Sequence, residues 1–351
     1  MSQATRLRTA VYALALALMT GWLLYIGRGV FVPIVFAGLV VYVILGLTRL
    51  VGGIPGLGPL LSPRLRFALA ILLALSALAG VVLVLLANID RVIASLPKYE
   101  ASLLASIQGV AARFGMEDEP SWRMLWQALA GQVNVQALIG TSVGAATAIV
   151  GSTIVVLLYV VFILAERVHF PGKVDRMFPD AQAVARIRTL VASMNARIGS
   201  YLALKTLVSA LLAFVSWLVM LYFGLELALF WALLIGLLNY VPYLGSFLGV
   251  VLPVSLAVVQ FADLGTVVAL LAALTVVQFV IGNFLDPYLL GNSLNLSTFT
   301  ILASLTVWSG LWGIPGAFLA VPLTAVMVIA LSEFRSTRPV AILLSRSGDL
   351  T

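Results

Sequence analysis

Residues 227–261 read LALFWALLIGLLNYVPYLGSFLGVVLPVSLAVVQF and contain no charged side chain. A straight α-helix of 35 residues would be about 50 Å long, whereas the hydrocarbon core of a bilayer is about 30 Å thick. The centre of the segment, Tyr240 to Gly245, carries proline and glycine, which interrupt helices. The segment therefore predicts two short apolar helices joined by a break, within a membrane.

A second long apolar run, residues 299–331, repeats this arrangement. It has 33 residues, and its centre, Gly310 to Gly316, again carries glycine and proline. Irregular backbone at membrane depth is tolerated where it is buried in protein or lines a cavity, and paired interrupted segments point to a transport site. We therefore predict two broken or re-entrant helical hairpins. The residues predicted to break or hinge helices in this half are Pro242, Gly245, Pro287, Gly313, Pro315, Gly316 and Pro322.

The composition places the rest of the chain in a membrane as well. Of its 351 residues, 62% are hydrophobic and 9% are charged, and the mean hydropathy is +1.15. A soluble protein is about 45–50% apolar and about 25% charged, because a surface in water needs charge to cover it. The sequence therefore predicts an all-α polytopic transmembrane protein with about eight hydrophobic segments. The further apolar runs are residues 10–27, 29–48, 67–88, 139–165, 206–224 and 265–285.

The residue inventory argues against catalysis. There is no cysteine and only one histidine, and the HExxH, Walker A and GxSxG motifs are missing from the sequence. We therefore expect no enzyme activity, no cofactor and no metal. The net charge of +7 does not indicate nucleic-acid binding, because the basic residues lie in short segments between apolar runs, as in membrane loops.

Charge placement predicts the organisation of the chain as one membrane domain, residues 1–351. Excess Lys and Arg marks cytoplasmic loops, and this places both termini in the cytoplasm. The number of crossings after residue 206 stays open, because full spans, broken spans and re-entrant hairpins all return the C-terminus to the same side. The predicted parts are three spans in 10–88, extracytoplasmic amphipathic helices in 89–138, a fourth span in 139–165, a cytoplasmic basic amphipathic segment in 166–205, and a transport-like half with broken helices in 206–331.

Four residues of this half are candidates for binding a solute or an ion. Asn283 and Asp286 lie three apart, so on a helix they share a face, and intramembrane carboxylates are functional hypotheses by default. The alternative is that Asp286 lies at the membrane edge and caps a helix before Pro287. Asn239 and Pro242 belong to a break whose freed carbonyls and amides can coordinate an ion or solute. The alternative there is a proline kink satisfied by neighbouring helices.

At these residues the chain resembles a known family, the AI-2E transporters of bacteria, also described as autoinducer-2 exporters. The motifs that carry the resemblance are LNYVPYLG at 238–245, NFLDPYLLG at 283–291, LWGIPGA at 311–317 and AVP at 320–322. There are two departures. The family usually has Gly-Gln where this chain has Leu204 and Lys205, and the Gly/Pro-rich loop 52–63 is unusual.

The resemblance implies a multi-pass protein of the bacterial plasma (inner) membrane that exports a small solute, some members being sodium/proton antiporters. It also implies a homo-oligomer, plausibly a pentamer. The hypotheses are therefore a secondary transporter or exporter, a sodium/proton antiporter on the same scaffold, and a non-transporting membrane scaffold or lipid-interacting protein. The expected partners are membrane lipids, a small solute or cation, and further copies of the chain, with no nucleic acid.

Overall fold

A computed structural model of the protein describes residues 3–113, 135–178, 180–261, 263–290 and 294–348. In these residues the secondary structure is helical, apart from a single β-bridge between Leu296 and Ser345. The helices are α1 (Gln3–Ile26), α2 (Arg28–Gly53), α3 (Leu57–Leu60), α4 (Pro63–Arg113), α5 (Val135–Arg167), α6 (Phe170–Met177), α7 (Ala181–Tyr222), α8 (Ala228–Leu238), α9 (Leu244–Phe261), α10 (Leu264–Val280), α11 (Asp286–Leu290), α12 (Thr298–Trp312), α13 (Ile314–Glu333) and α14 (Arg338–Leu344), with a π-helical turn, Ile281–Leu285, between α10 and α11.

Among the described residues, 7 helical segments are long and apolar enough to cross a membrane. The prediction of an all-α polytopic membrane protein is therefore confirmed. The segments are Arg28–Gly53, Pro63–Asn88, Ile149–Arg167, Ala181–Tyr222, Leu244–Phe261, Leu264–Leu290 and Ile314–Glu333. Three shorter apolar helices accompany them, Ala15–Ile26, Ala228–Leu238 and Thr298–Trp312.

The run 227–261 folds as a helical hairpin of α8 and α9, as its central break predicts. The arms lie against each other: a Cβ on Gly245 would be 1.8 Å from the Leu238 carbonyl oxygen, and one on Gly249 would be 3.5 Å from Ile235 Cγ1. Tyr243 has a φ of 61° in the turn between them. With 11 residues, α8 is about 17 Å long and therefore too short to cross a bilayer by itself.

The run 299–331 forms the second hairpin, α12 and α13, which turns at Gly313. Gly313 has a φ of 66°, a conformation that side chains other than glycine rarely adopt. A Cβ on Gly316 would be 1.9 Å from the Trp308 carbonyl oxygen, and Trp308 Nε1 donates to Thr324 Oγ1 at 3.1 Å. Both hairpins thus rely on a glycine that brings two helix backbones into contact, as small residues do in membranes.

The remaining predicted hinge residues lie within helices. Pro322 lies inside α13, which continues through it, and Pro315 lies in the first turn of α13. Proline is tolerated in the first turn, where its missing N–H has no intrahelical partner to lose. Pro287 is the second residue of α11, directly after the π-helical turn. A π-helical turn displaces the carbonyls that a proline ring would otherwise meet, which accounts for the position of this turn.

Two helices run past the segment boundaries that the charge pattern indicates. In α4 a single helix of 51 residues, about 77 Å long, continues through residues 89–113. The remainder of that predicted extracytoplasmic segment, 114–134, lies outside the described residues. The basic segment 166–205 has no helix boundary at its end, because α7 continues from Ala181 to Tyr222.

The chain forms two compact units, each built from separate stretches of sequence. The first comprises residues 1–70, 154–204 and 292–351. In it a Cβ on Gly46 would be 2.4 Å from Ala203 Cβ, Arg49 donates to the Asn195 carbonyl, and Trp312 Nε1 donates to the Leu24 carbonyl at 2.9 Å.

The second unit comprises residues 71–153 and 205–291. Its core is formed by buried side chains from α7 to the π-helical turn, including Val208, Leu212, Met220, Ile235, Leu256, Leu270, Leu274 and Ile281. The prediction that residues 1–351 form a single membrane domain stays a prediction.

Candidate functional site

An ion pair lies inside the second unit, between α7 and the start of α11. Lys205 Nζ is 2.7 Å from Asp286 Oδ2, and the two side chains are 8% and 19% exposed. No Lys or Arg occurs between Thr206 and Glu333, so Lys205 is the last basic residue before a long stretch that has none. Charges within membrane segments are costly, are usually paired, and mark functional sites.

The π-helical turn sets the position of the carboxylate. The Asp286 N–H donates to the Ile281 carbonyl, five residues back, which closes the wider turn before α11 begins. Asp286 Oδ1 is buried and has no hydrogen-bond partner among the described residues. One oxygen of the carboxylate is therefore neutralised by Lys205, while the other is a buried acceptor to which no described residue donates. Buried polar atoms are nearly always satisfied, so an unsatisfied one at an ion pair points to a function.

Two hydrogen bonds join α7 to the tip of the α8–α9 hairpin beside this pair. Asn239 Nδ2 donates to Ser209 Oγ at 3.0 Å, and both residues are buried. The hydroxyls of Thr206 and Tyr240 are 2.6 Å apart. Because Lys205 and Ser209 are one helical turn apart, the ion pair and these two bonds form a polar layer within an otherwise apolar interior.

The depth of this layer follows from the helix lengths. At the base of the hairpin the Glu226 N–H donates to Gln260 Oε1, and Gln260 Nε2 donates to the Gly224 carbonyl. Along α7, Lys205 lies about 26 Å from Tyr222, and Asp286 lies about 33 Å from Leu264 at the start of α10. The ion pair therefore lies about one hydrocarbon thickness from the base, beyond the tip of the hairpin.

The structure separates the predicted site residues into two groups. Asn239 and Asp286 belong to the polar layer, and Pro242 lies in the turn directly after it, half-buried. Asn283 is exposed and donates to the Phe279 carbonyl of its own helix at 3.2 Å. The structure thus does not bring Asn283 and Asp286 together, because the turn between them is π-helical rather than α-helical.

The site also contains four residues that are not among the binding candidates of the sequence analysis: Lys205, Thr206, Ser209 and Tyr240. Lys205 reads as the end of a cytoplasmic basic segment, and its partner is 81 residues further along the chain. The sequence feature that could have identified Lys205 as the partner of Asp286 is charge balance. Asp286 closes a helical run that carries no other charge, and Lys205 is the nearest basic residue that a neighbouring helix can supply.

Two other acids of this unit lie at the base of the hairpin. Asp263 is the N-cap of α10: its carboxylate accepts from the Thr266 hydroxyl at 2.6 Å and from the backbone N–H groups of Thr266 and Gly265. These bonds, the one from the Thr266 hydroxyl most of all, hold the pKa of Asp263 below its ordinary value of 3.8. Glu226 is exposed in the preceding loop. In the part of the chain that the structure describes, no group of three or more His, Cys, Asp and Glu side chains could hold a metal ion.

The long apolar helices place the protein in the class of multi-span helical membrane proteins. The profile of the AI-2E family of transporters matches residues 13–336, and the chain belongs to that family. It is 29% identical over 304 residues to the AI-2 transport protein TqsA of Escherichia coli (strain K12), covering 82% of this chain and 85% of the relative.

A second relative is the protein YhhT of Escherichia coli (strain K12), which is named provisionally as a transport protein. The identity is 33% over 277 residues, 78% of this chain and 76% of the relative. Together with the long apolar helices, these relatives identify the chain as a multi-pass membrane transporter of a small solute.

Proposed function

We propose that the protein is a secondary transporter of the bacterial inner membrane that exports a small polar solute, with both termini in the cytoplasm. The observation that carries the proposal is the Asp286 carboxylate, with one oxygen on Lys205 and the other buried without a partner among the described residues. A solute hydroxyl or a proton is the kind of group that would satisfy the second oxygen.

The polar layer supplies the remaining contacts in this proposal. Asn239 and Tyr240 lie at the tip of the α8–α9 hairpin and are hydrogen-bonded to Ser209 and Thr206 of α7. All four side chains carry groups that both donate and accept. A solute that enters the layer exchanges its own hydrogen bonds for these side-chain bonds, which lowers the cost of removing it from water. Access would alternate through movement of the hairpin, whose turn contains Pro242 and Gly245.

The proposal is tested by solute flux in proteoliposomes. The solute panel includes AI-2, because TqsA is named for its transport. We expect Asp286→Asn to reduce flux at least about tenfold, because the neutral amide neither pairs with Lys205 nor accepts a proton. The matched control is Asp263→Asn, which changes an exposed capping carboxylate at the hairpin base and should leave flux unchanged. Equal flux in wild type and Asp286→Asn would show that the site lies elsewhere.

A cation/proton antiporter on the same scaffold is the second candidate. It is favoured by the same buried carboxylate, since Asp286 Oδ1 is an acceptor to which no described residue donates. In proteoliposomes with an imposed pH gradient, an antiporter moves protons when the exchanging cation is added, and Asp286→Asn abolishes this movement. A neutral-solute exporter need not respond to the cation.

The third hypothesis is a non-transporting scaffold or lipid-interacting protein. It predicts that variants of the hairpin tip change folding, and that neither they nor the wild type show solute flux. We also propose that the chain assembles as a homo-oligomer, with a pentamer as the expected size. The mass of the detergent-solubilised complex, measured by light scattering, tests this assembly.

A further inference from the structure

We propose that Lys205 is the resident cation of this site: its ammonium occupies the position on Asp286 that an alkali cation would take, and so excludes sodium. The inference rests on the site of the proposed function and goes beyond it, because it names the residue that sets the ion specificity.

The geometry of the pair supports this role. The ammonium is 2.7 Å from Asp286 Oδ2 and only 8% of the lysine side chain is exposed, so the charge is held at the carboxylate rather than shared with water. A lysine ammonium is a compact point charge, which makes it a closer substitute for a monovalent metal ion than a planar guanidinium would be.

Repulsion decides whether sodium can bind at the second oxygen. A cation at Asp286 Oδ1 would lie about 5 Å from the ammonium, and at an effective dielectric of about 20 this weakens its binding by roughly two orders of magnitude.

No other charge is placed to offset this repulsion within residues 205–291. The remaining acids there, Glu226 and Asp263, lie at the hairpin base, about one hydrocarbon thickness away along the helices. The full set of titratable side chains in this stretch is Lys205, Tyr222, Glu226, Tyr240, Tyr243, Asp263, Asp286 and Tyr288. Of these, Tyr240 is hydrogen-bonded to Thr206, the residue after Lys205, and Tyr288 lies two residues after Asp286; neither carries a carboxylate.

The test measures sodium binding through stability. The purified protein in detergent is unfolded by heat in sodium chloride and in choline chloride at equal ionic strength, followed by the fluorescence of its 7 tryptophans. We expect the wild-type midpoints to coincide. In Lys205→Gln we expect sodium to raise the midpoint by roughly 3 °C, as a ligand does at about ten times its dissociation constant. This rise should be absent from Lys205→Gln/Asp286→Asn.

The matched control is Lys173→Gln. Lys173 pairs with Glu166, but the two side chains are 61% and 55% exposed, so removing the lysine frees a carboxylate in water and should create no sodium site. A sodium-specific rise in the wild type that Asp286→Asn removes would overturn the proposal. So would a folded Lys205→Gln protein that does not respond to sodium.

Removal of one partner from a buried pair can prevent folding, and purification then decides the question. Recovery of folded Lys205→Gln in sodium but not in choline supports the proposal. Failure in both salts, while the double variant folds, overturns it. Because binding rather than flux is measured, a protein that moves no solute would contradict the proposed function and leave this result standing.

Discussion

Gly245 lies where the two arms of the α8–α9 hairpin touch, and its missing side chain is what permits the contact. A Cβ at this position would be 1.8 Å from the backbone oxygen of Leu238, and a backbone atom cannot move aside as a flexible side chain can. Helices in membranes associate through such close backbone approaches, since lipid provides no hydrophobic force between them.

We therefore expect Gly245→Ala to separate the arms of the hairpin. Overpacking of this kind costs about 1–3 kcal/mol or more, which should lower the thermal midpoint by several degrees and disturb the Asn239–Ser209 bond at the tip. The control is Gly310→Ala in α12, where an added Cβ meets nothing within 4 Å. Midpoints that fall equally in both variants would show that the contact with Leu238 is not the cause. The measurement is thermal unfolding in detergent.

The sequence predicts the role of a single residue when that role depends on neighbouring positions in the chain. The break between Tyr240 and Gly245 can be read from proline and glycine within a few positions, whereas the partner of Asp286 cannot. The Lys205–Asp286 bond joins residues 81 positions apart, and its formation depends on how α7 packs against α10 and the π-helical turn. A sequence pattern contains spacing along one helix, but not the register between two helices.

At the start of α10, the loop residue Asp263 stabilises the helix by capping its first turn. Asp263 accepts hydrogen bonds from the Thr266 hydroxyl and two backbone N–H groups, which would otherwise be unsatisfied at the helix start. The pKa of Asp263 is lowered, so the folded state binds its proton less readily than the unfolded chain does. The stabilisation is therefore complete above the ordinary value of 3.8 and is lost as pH falls through the lowered pKa.

This predicts a difference in acid sensitivity between wild type and Asp263→Asn. Asparagine also caps helices but does not titrate in this range. The midpoint of the wild type should exceed that of the variant near neutral pH, and the difference should shrink as the pH falls below about 4. Unfolding curves at a series of pH values measure this. A difference that stays constant down to the lowest pH would exclude the carboxylate charge as its source.

The ends of the helices in this protein cannot be located from hydropathy alone. Residue 206 marks the start of an apolar run, yet α7 continues from Ala181 through 42 residues to Tyr222. A basic amphipathic stretch and an apolar stretch can share one uninterrupted helix, because backbone hydrogen bonding is unaffected by the change of solvent. The sequence therefore predicted the helical class and the two hairpins, but not where one segment passes into the next.

The orientation of the whole molecule is set by charge and by the parity of its crossings. The basic segment around α6 predicts one side of the membrane, and the hairpin base at Glu226 and Gln260, which has no basic residue, lies at the other end of α7. Since α10 and α11 run continuously from Leu264 to Leu290, Tyr288 should return to the side of α6. The absence of cysteine allows each position to be labelled singly without background.

We expect an impermeant thiol reagent to label Glu226→Cys in intact spheroplasts, and Met177→Cys and Tyr288→Cys only after permeabilisation. Met177 and Tyr288 are 69% and 84% exposed, so a lack of labelling in intact cells reports sidedness rather than burial. Labelling of Glu226→Cys together with Tyr288→Cys from outside would mean that residues 264–290 do not cross. A transport path that crosses the membrane between the hairpin base and the Lys205–Asp286 pair would then be ruled out. Labelling as expected places the polar layer between two aqueous surfaces, which alternating access requires.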